Sequence, residues 1–93
     1  MSQLLRFAND HFKVLACLYD EKNSNNVAHV TQQEIADRVG LSRVTINKII
    51  GELKQENYIQ LDGVHVGRYV LTPKASNVVK AFRSVERDVF AND

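Results

Sequence analysis

Two helix starts separated by a one-residue joint constrain this chain more than any other feature. Thr31-Gln32-Gln33-Glu34 reads as a capping box, in which the Thr hydroxyl and the Glu carboxylate each take up a free backbone N–H. Ile35, Ala36 and Val39 then share one helical face. Gly40 ends that helix, because glycine accepts the left-handed backbone of a helix C-terminus. Only Leu41 intervenes before Ser42, a second N-cap. The next helix is expected over 43 to about 56, with Ile46, Ile49, Ile50 and Leu53 at i, i+3, i+4 and i+7. Gly51 inside it costs about 1 kcal/mol relative to alanine, and a close packing contact is one explanation.

The flanks are read from the same signals. Asp10 is expected to cap a helix whose face is Phe12, Leu15, Ala16 and Tyr19, widened by Val14 and Leu18. It should stop near Lys22, before the loop signal Asn23, Ser24, Asn25 and Asn26. Val27, Ala28, His29 and Val30 suggest a very short strand. Asn57 suits a left-handed exit from the helix before it. The segments 58–61 and 68–71 read as two strands of an antiparallel hairpin, with its loop around 62–67. Thr72-Pro73 starts a last helix, which carries Val78, Phe82, Val85 and Val89 at helical spacing.

Composition narrows the function classes. The chain has 93 residues, enough for one domain and one core. Hydrophobic residues are 44% and charged residues 25%, which argues against disorder. No apolar run approaches the roughly 20 residues of a membrane span, and no start resembles a signal peptide, so a cytoplasmic setting is expected. Cys17 is the one cysteine, which rules out an intrachain disulfide and a cysteine-based zinc site; it reads as a small core residue. His11, His29 and His65 are scattered, so no metal is expected. No Gly-rich phosphate loop, paired carboxylates or nucleophile with a base is evident, so the chain reads as a non-enzyme without a cofactor. Lys and Arg total 12 against 11 acids, a net charge of +1. A DNA-binding role then requires local rather than global positive charge.

The order is helix, short strand, helix, tight turn, helix, hairpin, helix: mainly α with a small antiparallel β-hairpin wing. Over about residues 10–80 it resembles a winged helix-turn-helix domain. The segment from Val30 through Thr31-Gln32-Gln33-Glu34-Ile35-Ala36 and Gly40-Leu41-Ser42-Arg43 to Ile46 is similar to the DNA-binding domain of the cyclic-AMP receptor (catabolite activator) superfamily. Leu53-Lys54-Gln55-Glu56-Asn57-Tyr58-Ile59 resembles that family's helix exit into the wing, with Asn57 where glycine is usual. Tyr69-Val70-Leu71-Thr72-Pro73-Lys74-Ala75 looks more like the wing end of the MarR-type repressors. The choice between the two families stays open on these residues. The receptor superfamily's ligand-binding barrel has no counterpart here, so no cyclic-nucleotide site is carried over, and no small-molecule effector is identifiable. The expectation is a single domain over 1–93, with the helix-turn-helix at about 31–56, the wing at about 58–72 and a possible dimerisation helix at about 73–90.

Major-groove reading asks for a helix that presents polar side chains near its start. The core stripe takes Ile46, Ile49 and Ile50, which leaves Arg43, Val44, Asn47 and Lys48 for the outer face. Arg43 suits O6 and N7 of guanine, a contact worth about 1–3 kcal/mol of discrimination. Asn47 suits adenine or a phosphate, and Val44 a thymine methyl. The resemblance implies that the positions of Arg43, Val44 and Lys48 face bases or backbone. Backbone contacts are expected from Thr31, Gln32 and Gln33 at a helix start, from the hydroxyls of Ser42 and Thr45, and from His65 and Arg68 in the wing. Plain solvation is the competing reading for Arg43, Val44, Asn47, Lys48, His65 and Arg68, and a purely structural cap for Thr31.

The last helix continues past the point where so small a core should be filled. Leu4, Leu5, Phe7, Val78, Phe82, Val85, Val89 and Phe90 are therefore expected to form a homodimer seam, with packing inside the chain as the alternative. The functional expectation is a bacterial or phage-like, sequence-specific transcriptional regulator that binds double-stranded DNA as a homodimer and has no membrane role. Alternatives are a protein-docking winged helix and a replication or partition protein.

Overall fold

The computed structural model describes residues 10–61 and 67–91, with side chains through residue 87. Leu4, Leu5, Phe7 and His65 lie outside the described residues, as do the side chains of Val89 and Phe90. Helix α1 spans Phe12–Glu21 and buries Val14, Leu15 and Leu18. Asp10 does not cap it. The residue before the helix, His11, is already helical (φ −65°, ψ −41°), and no side chain caps the start. The end is as expected: Lys22 turns extended, and Asn23 Oδ1 accepts the N–H groups of Asn25 (2.8 Å) and Val27 (3.1 Å). Asn26 takes the left-handed conformation (φ 63°), which asparagine tolerates better than most residues.

Strand β1 (Val27–His29) belongs to a sheet with β2 (Ile59–Leu61) and β3 (Arg68–Leu71). The order is β1-β3-β2, all antiparallel, so the expected two-stranded hairpin is a three-stranded sheet. Ala28 lies opposite Tyr69, and Ile59 opposite Leu71. These four side chains are buried, which places the inward face of the sheet on the core. Tyr58 precedes β2 rather than joining it, because Asn57 exits the preceding helix left-handed (φ 65°).

Helix α2 spans Gln32–Val39, and both halves of its capping box form. Thr31 Oγ1 accepts the Glu34 N–H (3.0 Å), and Glu34 Oε1 accepts the Thr31 N–H (3.2 Å). Removing the hydroxyl leaves the Glu34 N–H without its acceptor. Thr31→Ala is expected to cost about 0.5–2 kcal/mol, read as a lower urea midpoint at unchanged slope. Gly40 closes the helix at φ 74°, and its N–H and that of Leu41 both reach the Ala36 carbonyl. Helix α3, Arg43–Gln55, follows after Leu41 and Ser42 and buries Ile46, Ile49, Ile50 and Leu53. It ends one residue short of the expected 56. Packing among the described residues does not explain Gly51: none of them lies within 4 Å of the place a Cβ would occupy.

Helix α4 spans Pro73–Ala91. Thr72 Oγ1 accepts the Ala75 N–H (3.3 Å), with its own proton directed to the Asn57 carbonyl (2.7 Å). The deepest described α4 side chains are Ala75, three residues before Val78, and Val79, one position off the expected stripe. Val78 is only partly buried beside the core, and the Phe82 ring meets Phe12 at 4.8 Å between centroids. Two of the expected seam residues thus have partners inside the chain. Val85 is 60% exposed.

Two ion pairs tie the helix ends together. Arg38 of α2 bonds Glu21 of α1, and Arg83 of α4 forms a two-pronged pair with Asp20 of α1, both contacts at 2.8 Å. The hydrogen bonds from Arg83 hold the Asp20 carboxyl below its ordinary value of 3.8, with burial acting weakly against them. A lowered acid stabilises the fold above its unfolded pKa, and that share is lost as pH falls through the lowered folded value. Asp20 is 55% exposed, so solvent screening keeps the pair small. Asp20→Asn is expected to cost about 0.2–1 kcal/mol at neutral pH. Urea melts should show the parent and variant converging well below pH 3.8. Cys17 packs against the core but is half-buried rather than inside it, and burial raises its thiol pKa, which disfavours the reactive thiolate.

Candidate nucleic-acid interface

The candidate interface is the face of α3 opposite its buried stripe. Ser42 Oγ accepts the Thr45 N–H (3.1 Å), and the two hydroxyls meet at 2.8 Å. That cap fixes the first turn, where Arg43 and Val44 emerge. Ile46, Ile49, Ile50 and Leu53 anchor the helix from behind, all at most 4% exposed. The opposite face then carries Arg43, Val44, Asn47 and Lys48, all exposed. Val44 is 82% exposed, the most of any large apolar side chain among the described residues. An apolar residue held in water at a helix start suits a partner that offers methyl groups.

One turn further on, the same face holds Gly51, Lys54 and Gln55, all exposed. Lys54 was not among the residues expected from sequence. The signal was available: it follows Asn47 by seven residues, a spacing that returns to one helical face.

The charges on this face are unopposed. Among the described residues Arg43, Lys48 and Lys54 have no ion-pair partner, whereas Arg38 and Arg83 are both paired. The acid inside α3, Glu52, bonds His11 Nε2 at 3.0 Å, behind the outward face. A chain of net charge +1 therefore concentrates three free cations on one side of one helix. This is the local positive charge that the composition required.

The other expected contacts are placed differently. The Thr31 hydroxyl is committed to its cap, and the Glu34 carboxylate already occupies the Thr31 N–H at the start of α2, where a phosphate was expected. Gln32 is half-buried, and Gln33 donates Nε2–H to Asp37 Oδ1 at 2.9 Å. Ser42 and Thr45 bond each other, with Ser42 exposed. Arg68 opens the central strand β3 opposite His29, in the strand expected over 68–71, and is half-buried. Among the described residues no cluster of metal-ligating side chains exists, and no helix is long and apolar enough to cross a membrane.

Two helices joined at Gly40-Leu41, an outward second helix and a three-stranded sheet beside them make this a winged helix-turn-helix fold. Known proteins agree. The M. tuberculosis transcriptional regulator MOSR, solved in complex with DNA, superposes with a TM-score of 0.66 at 20% identity, over 88% of this chain and 60% of that one. A CRP/FNR-family transcriptional regulator from Thermus thermophilus superposes at 0.60 with 25% identity, over 85% of this chain and 45% of that one. The chain therefore spans about half the length of these regulators. No curated protein sequence matches it. Residues 2–74 match the Crp-like helix-turn-helix domain, which resolves the choice the sequence left open: the chain belongs to the Crp-like helix-turn-helix domain family.

Proposed function

We propose that the chain is a sequence-specific transcriptional regulator that reads the major groove of double-stranded DNA with α3. The observation that carries this is the outward face of α3. Three unopposed cations, an amide and a bare valine sit opposite a fully buried stripe. Arg43 is given the guanine contact, Val44 the thymine methyl, Asn47 an adenine or phosphate, and Lys48 a phosphate. Ser42 and Thr45 shape the helix start, and the strand from Arg68 carries the wing against the backbone. The family assignment and the DNA complex of the MOSR structure support the same reading. The chemistry is recognition by charge and hydrogen bonds, with no catalytic step and no cofactor.

The reading includes a homodimer. Val85 stands exposed on α4 beyond the residues that the core occupies, and the helix continues to Ala91. Twofold pairing through this end gives two α3 helices about 34 Å apart, one DNA turn. It also makes the second contact effectively intramolecular, which offsets the small charge of one copy.

Fluorescence anisotropy of a labelled duplex, titrated with the full chain over a salt series, tests the proposal. Binding that falls steeply with salt is expected, because phosphate contacts release counterions. Sedimentation equilibrium of the same sample should give the mass of two chains. A folded chain that leaves the duplex unbound at low salt instead indicates a protein-docking winged helix.

A further inference from the structure

Gly51 is the one residue on the outward face that the fold does not explain. It sits mid-helix in α3, is exposed, and has none of the described residues within 4 Å of a Cβ position. Its backbone is ordinary right-handed helix, with no positive φ that would call for glycine. Alanine there meets no obstacle and forms helix more readily. The cost of glycine is therefore unmatched by any gain within the described chain.

Its neighbours on the helix surface suggest what the gain is. Residues three and four apart lie side by side. Around Gly51 these are Lys48 and Lys54 at i−3 and i+3, and Asn47 and Gln55 at i−4 and i+4, all exposed. The helix backbone is thus laid bare in a notch rimmed by two ammonium groups and two amides, with no carboxylate among the four. A helix measures about 10–12 Å across with its side chains, but its Cα cylinder has a radius of only about 2.3 Å. A partner at Gly51 therefore comes several ångströms closer to the axis than elsewhere on this face. The rim chemistry selects a narrow, anionic ridge that accepts hydrogen bonds, which describes a sugar–phosphate strand.

We propose that Gly51 is a close-approach point for nucleic acid, seating one sugar–phosphate strand against bare α3 backbone between Lys48 and Lys54. This rests on the DNA reading above and adds two residues to it. Gly51 sets how deeply α3 sits in the groove, and Lys54 holds a phosphate.

The test uses the full chain as parent, Gly51→Ala and Lys54→Ala, with a fluorescein-labelled duplex of random sequence as probe. Gly51→Ala should melt at a higher temperature than the parent, yet bind the duplex about tenfold more weakly, the loss of one good contact. Lys54→Ala should reduce the salt slope by about one. A Gly51→Ala chain that melts higher and binds as tightly as the parent overturns the close approach, while parental binding leaves the DNA reading standing. An unchanged salt slope in Lys54→Ala overturns the cationic rim. A folded parent that does not bind overturns both readings together.

Discussion

Arg43→Ala is expected to weaken binding to the preferred DNA site by roughly 5- to 150-fold and to relax preference at one base pair. The magnitude follows from about 1–3 kcal/mol for one two-pronged contact to guanine. The fold should be indifferent to the change. Arg43 is exposed, has no ion-pair partner among the described residues, and follows a cap made by Ser42 and Thr45 alone. Its stability should stay within about 0.5 kcal/mol of the parent. Binding to random duplex should fall much less than binding to the preferred site, because only one charge is lost. Arg43→Lys separates charge from shape: it restores the non-specific binding but not the base preference, since an ammonium lacks the guanidinium fork. Competition between preferred and random duplexes reads both effects. An equal loss on the two would reassign Arg43 to a phosphate.

The second large effect lies behind that face. Ile46→Ala should destabilise the chain by about 2–5 kcal/mol. Ile46 is fully buried in the one core cluster that also holds Ile35 and Leu15, both inaccessible to solvent. Truncation removes three carbons and leaves a cavity that packed helices refill only in part. Native domains hold about 5–15 kcal/mol in total, so the variant loses a large share of its stability. Urea denaturation should show a much lower midpoint. Where the variant remains folded, its duplex affinity should approach the parental one, because Ile46 faces away from the partner. A loss below about 1 kcal/mol would mean that α3 is held elsewhere.

What the sequence disclosed was local chemistry. Thr31 with Glu34, Gly40, Ser42 and Asn57 each act through backbone groups a few residues away, and each forms as read. The spacing of buried isoleucines in α3 was equally plain, and with it the residues left facing outward. Non-local partners were not legible. The pairing of β1 with β3 joins Ala28 to Tyr69, and nothing in three residues of strand names a partner so far along the chain. The core face of α4 is rotated from the expected stripe because Val79 rather than Val78 is fully buried, and Ala75 one turn before it signals little in an apolar count. Phe82 lacks a visible partner in the sequence, and α1 supplies one by bringing Phe12 beside it. Asp10 fails as a cap because the chain is already helical at His11. Lys54 escaped for another reason. The expectation looked for polar side chains near the helix start, whereas a helical face recurs every three or four residues along its whole length.

The central claim is that the outward face of α3 reads DNA sequence from a twofold dimer. Selection from a random-sequence duplex pool tests it most directly, with bound DNA recovered at near-physiological salt and sequenced. The account predicts an enriched inverted repeat whose half-sites lie about one helical turn apart, and its loss in Arg43→Ala. Bound DNA without any enriched motif, or enrichment that Arg43→Ala leaves intact, would contradict it.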